Sequence, residues 1–410
     1  MKRRVVITGM GALCPIGNNV EDMWEAAKVG TCGIDEITKF DTANHKVKLA
    51  GEIKNLDATE FIDKKDLRRM AKYTQLALIA AKEAMKQSEI KIENENPLRC
   101  GVNVSSGIGG LDMIEQEHSR GLEKGFDRVS PFFIPTAISN MAAGTIAIEF
   151  GFKGSCICVV TACASGTNAV GESFRQIRDN YSDVMICGGT EASITPLGIG
   201  GFTAMKALSE STDKTRASIP FDKERNGFVM AEGAGILVLE EYEHAIKRGA
   251  TIIGEVVGYA TNCDANHITA PMEDGSGASD CMLLAISDAD LDKKDIGYIN
   301  AHGTSTSLND KYETTAIKRT FGDYANNILV SSTKSMTGHM LGATGAVEAI
   351  FTVKSLENGF VLPTIGYKVK DENCDLDIVP NVGRKADIEY AMSNSLGFGG
   401  HNASVIFKKV

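Results

Sequence analysis

Ile157-Cys158-Val159-Val160-Thr161-Ala162-Cys163-Ala164-Ser165-Gly166 opens as a short apolar strand and breaks into small residues. An amphipathic helix follows from near Thr167, with Val170, Phe174 and Ile177 on one face and Arg175 and Arg178 flanking it. A strand that turns straight into a helix is the unit of a layered α/β protein. The turn sets the Cys163 thiol at a helix N-terminus, where the dipole and free amides favour the thiolate and lower its pKa. Ala162, Ala164, Ser165 and Gly166 leave room for a substrate, following the logic of the serine elbow of hydrolases. A buried cysteine at a tight turn would read the same way locally, so a nucleophile needs partners elsewhere.

Outward from this segment, strands alternate with helices. Strands are expected at Arg4–Thr8, Cys100–Val104, Cys156–Val160, Val184–Cys187 and Gly235–Glu240, then at Ile252–Ala260, Ile296–Asn300, Ile328–Ser331, Glu389–Ser395 and Ala403–Lys408. Helices are expected at Val20–Val29, Asp66–Gln87, Thr167–Asp179, Ser276–Ala289, Asp310–Phe321 and Ala346–Glu357. Near the end of each half a strand, a glycine-rich turn and a further strand recur, an echo that divides the chain into 1–250 and 251–410. With 410 residues and 43% apolar content, two packed core units are the natural expectation.

Two histidines have the setting a nucleophile's partner needs. Asn300-Ala301-His302-Gly303-Thr304-Ser305-Thr306 follows an apolar strand, and small and hydroxyl residues surround the imidazole. Lys334-Ser335-Met336-Thr337-Gly338-His339 follows another and leads into a helix. Loops after strands are where α/β sheets place their sites. Of the other five histidines, His267 and His401 are placed at the pocket's border. No His-x-x-x-His spacing supports a metal site.

The net charge of −10 argues against nonspecific nucleic-acid binding. No apolar run is long enough to span a membrane, and the four-residue apolar stretch after Arg4 is too short for a signal peptide. Most of the ten cysteines sit in apolar runs and are expected as buried thiols in a reducing cytoplasm.

At this point the chain resembles a known family. Thr161–Gly166, Ala301–Thr306, Lys334–His339 and Gly397-Phe398-Gly399-Gly400-His401-Asn402 look like the four blocks of the β-ketoacyl-acyl-carrier-protein synthases, most closely the elongating synthase II type. The resemblance implies a thiolase-like α/β fold of two duplicated halves in five layers, αβαβα, a homodimer, and acyl carrier protein as partner, with no cofactor. It implies that Cys163 is acylated, that His302 and His339 act on a malonyl thioester, and that Lys334 organises their electrostatics. Phe398 would gate the pocket, its amide joining that of Cys163 as an oxyanion hole. Thr304 and Thr306 would hold the pantetheine arm, Ile108 and Phe202 would line the acyl tunnel, and Thr269 and Gly399 complete the substrate-binding set. Asn300, Glu348, Ser393 and Asn394 resemble a structural monovalent-cation site. Ser307 departs from the motif, which commonly has proline, and implies a local change of the loop.

Lys64-Lys65-Asp66-Leu67-Arg68-Arg69-Met70-Ala71-Lys72 is basic in an acidic chain. On a continuous helix Lys65, Arg68, Arg69 and Lys72 would share a face. With Lys206 they are expected to dock the acidic carrier. Rival readings are weaker. Gly9-Met10-Gly11 lacks the third glycine of a dinucleotide loop. A degradative thiolase would carry a second cysteine in the last block, an initiating synthase would have asparagine for His339, and a non-catalytic chain-length subunit would lack Cys163. A polyketide ketosynthase would look the same at these positions.

Overall fold

The computed structural model describes residues 2–410. Ten strands carry the architecture: β1 (Val5–Leu13), β2 (Cys100–Ser105), β3 (Cys156–Ile157), β4 (Val184–Glu191) and β5 (Gly233–Glu241), then β6 (Gly254–Cys263), β7 (Ile296–Asn300), β8 (Leu329–Ser331), β9 (Tyr390–Gly397) and β10 (His401–Lys408). The first five lie in the order β3-β2-β4-β5-β1 and the second five in the order β8-β7-β9-β10-β6. Counted within its own half, each order is 3-2-4-5-1. The directions repeat as well: the first three positions run parallel and the last two join antiparallel. A short antiparallel pairing of Val5–Ile7 with Gly254–Val256 joins the two halves into one hydrogen-bonded sheet.

The helices used below are α1 (Val20–Lys28), α2 (Lys64–Leu67), α3 (Lys72–Ser88), α4 (Met141–Phe150), α5 (Ser165–Arg178), α6 (Ser276–Asp288), α7 (Ser307–Phe321) and α8 (Thr344–Asn358). Helices α3 and α4 cover the outer face of the first half and α6 and α7 that of the second, while α5 and α8 lie between the two halves of the sheet. Such a position needs a helix that is apolar nearly all round. Ala346, Val347, Ala349, Ile350, Phe351 and Val353 make α8 one, buried on almost every side. The strands feed both cores by their period of two. Along β5, Ala234, Ile236 and Val238 point to the α3 side, while Leu237 and Leu239 point to the central helices. Every residue of β4 and β5 is therefore buried, as a sheet covered on both faces requires.

Three expectations change. Strand β1 runs on through Gly9-Met10-Gly11, which is no turn: a Cβ at Gly9 or Gly11 would overlap the Ala84 or Ala80 carbonyl of α3. The dinucleotide reading falls with it. The basic segment does not lie on one helix, because α2 and α3 are separated at Arg68–Ala71. Ala71 is extended there, and the Gln75 amide caps the released carbonyls of Leu67 and Met70. Lys65, Arg68 and Arg69 are exposed, whereas Lys72 is half-buried beyond the break. Third, the strand before Cys163 is only Cys156–Ile157 and lies exposed at the sheet edge, so Cys156 is not a buried thiol; nor is Cys263.

His244 sits between two carboxylates, Nδ1 at 2.6 Å from Glu240 and Nε2 at 2.7 Å from Glu95. Glu240 leads in raising its pKa to about 9. A folded-state pKa above the unfolded value means stability that is complete below about pH 6.5 and lost as pH rises through about 9. Urea unfolding between pH 6 and 9.5 should show that decline, and His244→Ala should flatten it.

Candidate active site

The turn at the nucleophile is held by its own small residues. Ala162 takes a left-handed φ of +50°, Ala162–Ala164 form a 3₁₀ turn, and α5 starts at Ser165, two residues before the expected Thr167. Ser165 Oγ donates to Ala162 O at 2.7 Å and accepts from Thr161 N–H at 2.9 Å. Gly397, at the end of β9, lies against this turn: a Cβ there would come 2.6 Å from Thr161 O. That close approach brings the turn after β9 against the nucleophile's turn, where the backbone amides of Cys163 and Phe398 favour the thiolate of Cys163.

Burial pushes the Cys163 thiol up to about 12; Lys334 opposes the shift and Glu191 adds to it. This reverses the expected lowering. The helix end is present, but the sulfur lies in an apolar cluster with Ile108, Phe202, Phe228 and Leu341, and loss of solvation prevails. The resting thiol keeps its proton.

His302 follows β7, and its amide and that of Gly303 donate to the Glu313 carboxylate at 2.7 and 2.8 Å. His339 is fixed through Val229 O and the Ala231 amide, and its Nδ1 lies 3.0 Å from Thr344 Oγ1. The two rings stand edge to face, centroids 5.4 Å apart. Burial, reinforced by the positive charge of Lys334, holds both imidazoles well below their usual pKa, so both are neutral. His302 Nδ1 and His339 Nε2 are buried without a partner in the protein. Lys334 is wholly buried, its Nζ 2.5 Å from Glu348 Oε1, and burial pushes the Glu348 carboxyl up to about 7.

Cys163, His302 and His339 converge on one cavity of about 250 Å³, whose wall also includes Phe398, Phe202, Thr304, Thr306 and Thr269. Phe398 packs against Phe202, which meets Phe228 edge-on, and Phe228 meets His339 in the same way. Thr304 and Thr306 join hydroxyls at 2.9 Å, and the Arg225 guanidinium donates to the carbonyls of Thr306 and Ser307. Ser307 is the first residue of α7, a position proline also favours, so the departure there requires no different loop.

Other residues lie further out. Ile108 packs in the apolar cluster around Cys163. Gly399, at φ +89°, sits behind Phe398 with its amide on Ile268 O. Lys206 is exposed at the cavity mouth, while Lys65, Arg68 and Arg69 stand outside the cavity, Arg69 over the Phe132 ring. His267 and His401 do not line the cavity: His267 Nδ1 accepts from the amides of Thr269 and Ala270, and His401 packs on Gly399. Asn300 Oδ1, Glu348 Oε2 and Ser393 Oγ are buried and unpartnered, a set of oxygen atoms of the kind a hard cation takes. The Asn394 side chain does not join it, being taken by Ser404 and Met282. Glu313, Thr344 and Phe228 escaped the sequence reading. Glu313 leaves a trace: with Asp310 and Ile317 it shares the buried face of α7, an unusual place for carboxylates.

Known proteins match the chain along its length. The family model for the beta-ketoacyl synthase N-terminal domain matches residues 2–245 and that for the C-terminal domain matches residues 253–368. A Staphylococcus aureus (strain N315) protein named 3-oxoacyl-[acyl-carrier-protein] synthase 2 is 53% identical over 407 residues, covering 99% of this chain and 98% of its own. A Synechocystis protein of the same name is 50% identical over 409 residues, 100% of this chain and 98% of its own. A type II polyketide ketosynthase, solved with its acyl-carrier protein and bound to the hexaketide, superposes with a TM-score of 0.93 at 34% identity over the full length of both chains. The chain belongs to the beta-ketoacyl synthase family and is a condensing enzyme, an acyltransferase that forms a carbon–carbon bond. Its fold is the thiolase-like one of that family.

At pH 8, Lys334→Met should lower the unfolding free energy by about 3–5 kcal/mol, because Glu348 loses its ion pair and must take up a proton to stay buried. Adding Glu348→Leu should recover most of the loss. Urea titration of the three proteins side by side checks this, and a double variant no more stable than the single one contradicts it.

Proposed function

We propose that this chain is the elongating condensing enzyme of fatty acid synthesis, extending a Cys163-bound acyl chain by two carbons from malonyl-acyl carrier protein. The observation that carries the reading is the meeting of a thiol, two backbone amides and two neutral imidazoles in one buried cavity. The high identity to two proteins named synthase 2, against 34% to a polyketide ketosynthase, favours fatty acid over polyketide synthesis.

In the first half-reaction Cys163 sulfur attacks the acyl thioester carbonyl. Its oxyanion is held by the Cys163 and Phe398 amides, and the carrier thiol leaves with the proton. In the second, malonyl thioester loses CO₂, and the electron pair of the broken C–C bond becomes an enolate. N–H donors of His302 and His339 stabilise its oxygen, each neutral ring keeping one N–H to donate. The enolate carbon attacks the acyl-Cys163 carbonyl, the Cys163 thiolate leaves and is reprotonated, and 3-oxoacyl thioester departs on the carrier. Each preorganised donor of this kind contributes about 3–4 kcal/mol.

Intact-mass measurement with acyl- and malonyl-carrier substrates tests the reading. Cys163→Ala should abolish both the acyl adduct and elongation. His302→Ala and His339→Ala should keep the adduct and lose roughly 10²–10³-fold in condensation. An undiminished product from Cys163→Ala would overturn it.

For the carrier we assign the exposed Lys65, Arg68 and Arg69 at the end of α2, with Lys206 at the cavity mouth, as the cationic surface of an otherwise acidic protein. Charge reversal at Arg68 and Arg69 should raise KM for carrier-bound substrate and weaken its salt dependence while leaving kcat near wild type; unchanged values would remove the assignment. The exposed edge strand β3, with Ile157, Val160, Phe132, Ile134 and Ile138 exposed in the same half, supports a homodimer, since open edges and apolar bands seek a partner. Asn300, Glu348 and Ser393 would hold a potassium or sodium ion between β7, β9 and α8. Ten free cysteines, and no helix among the described residues long and apolar enough to cross a membrane, are consistent with the cytoplasm. We take 1–250 and 251–410 as the two halves of the duplication, supported by the repeated strand order.

A further inference from the structure

Glu191, the last residue of β4, is wholly buried and touches none of the groups assigned a chemical step. Its carboxylate collects four donors. Oε1 accepts from Ser106 Oγ at 2.9 Å and Ser193 Oγ at 3.1 Å, and Oε2 from the Gly107 amide at 2.8 Å and the Gly342 amide at 3.1 Å. Ser106 Oγ in turn accepts from the Gly109 amide at 2.9 Å, closing the loop that carries Ile108.

The two glycines leave no tolerance at this point. A Cβ on Gly107 would come 3.0 Å from Glu191 Oε2, and one on Gly342 would come 2.9 Å from it and overlap the Gly107 amide. On its other side the Gly342 carbonyl lies against Gly166 of α5, where a Cβ would stand 2.8 Å away, and against Gly189 of β4. Gly342 follows Leu341, which is held at a left-handed φ of +46° and packs in the cluster around Cys163. It lies three residues after His339. One carboxylate thus spans two loops, the one that carries Ile108 and the one after the second histidine.

We propose that Glu191 is the positioning residue that ties the acyl-pocket loop at Ser106–Ile108 to the histidine loop at Gly342, fixing the floor beneath Cys163. The inference rests on the condensing reading above and deepens it. Burial raises the pKa of the Glu191 carboxyl against its four donors, and its ionised form opposes the Cys163 thiolate, opposite in sign to Lys334, with His302 and His339 neutral in the same cavity and Asp264 and Lys206 at its wall. The other titratable groups near Glu191 are Tyr73 and Cys158.

Shape and charge can be separated. In Glu191→Gln the amide oxygen can take the Gly107 and Gly342 donors, while its NH₂ faces two serine hydroxyls that rotate to accept, so the geometry stays and the charge goes. Glu191→Asp keeps the charge but is one methylene too short to reach both loops. Two readouts are made on wild type and both variants: the rate of Cys163 acylation by acyl-carrier substrates of increasing length, followed by intact mass, and the pH profile of Cys163 alkylation by iodoacetamide. Expected for Glu191→Asp is a loss of about 10- to 100-fold in acylation, steepest for the longest chains, as for a site displaced by about an ångström. Expected for Glu191→Gln is near-wild-type acylation with the same chain-length order and an alkylation profile moved to lower pH. If Glu191→Asp does not fold, the Glu191→Gln profile and chain series still decide. Wild-type acylation and an unmoved profile in the variants that fold would overturn the inference. Absence of any Cys163 adduct in the wild type would instead overturn the condensing reading itself.

Discussion

Two helices enclosed between the two halves of one sheet set the terms for everything else in this molecule. Because α5 and α8 occupy equivalent places in the repeated topology, their N-terminal ends arrive side by side, and whatever precedes them in sequence is brought together. Cys163 precedes α5 and His339 precedes α8. The remaining parts obey the same rule. Ile108 lies in the loop after β2 and His302 in the equivalent loop after β7, while Phe398 lies in the turn from β9 to β10. Residues more than two hundred positions apart thus meet because each ends or follows a strand on the side where the parallel strands finish.

That position is buried, and burial decides the charges. The thiol and both imidazoles are neutral at rest, and Glu313 and Glu348 are pushed up to about 7 by the same burial. Lys334 is the one wholly buried ammonium beside them, and its ion pair with Glu348 anchors it behind the imidazoles and clear of the substrate space. The backbone supplies the rest of the polarity, through the amides of Cys163 and Phe398, which need no proton exchange to act.

Much of this was legible in the chain. Alternating apolar runs marked nine of the ten strands to within a few residues, because strands buried on both faces read as unbroken apolar sequence. The nucleophile and its two histidines stood out because each follows such a run and is ringed by small residues. What could not be read depended on tertiary context. The break at Arg68–Ala71 has no proline or glycine to announce it and is stabilised by Gln75 from the following turn. The exposure of Cys156 follows from its strand being the sheet's edge, a fact of topology. The raised pKa of Cys163 contradicts the local logic of its helix end, because the apolar wall comes from segments far away in sequence. Glu313 and Glu191 were invisible for a related reason: a carboxylate is taken for a surface residue until its donors are seen.

The convergence of α5 and α8 has an electrical corollary. In the proposed cycle one negative charge is handed along, from malonyl carboxylate to enolate oxygen, then to tetrahedral oxygen, then to sulfur. Its total never changes until the last proton arrives. A pocket whose positive potential comes from peptide dipoles and a single anchored ammonium is frozen in orientation, and so it can meet each of these anions without rearranging. Solvent, by contrast, would have to turn its molecules afresh at every transfer.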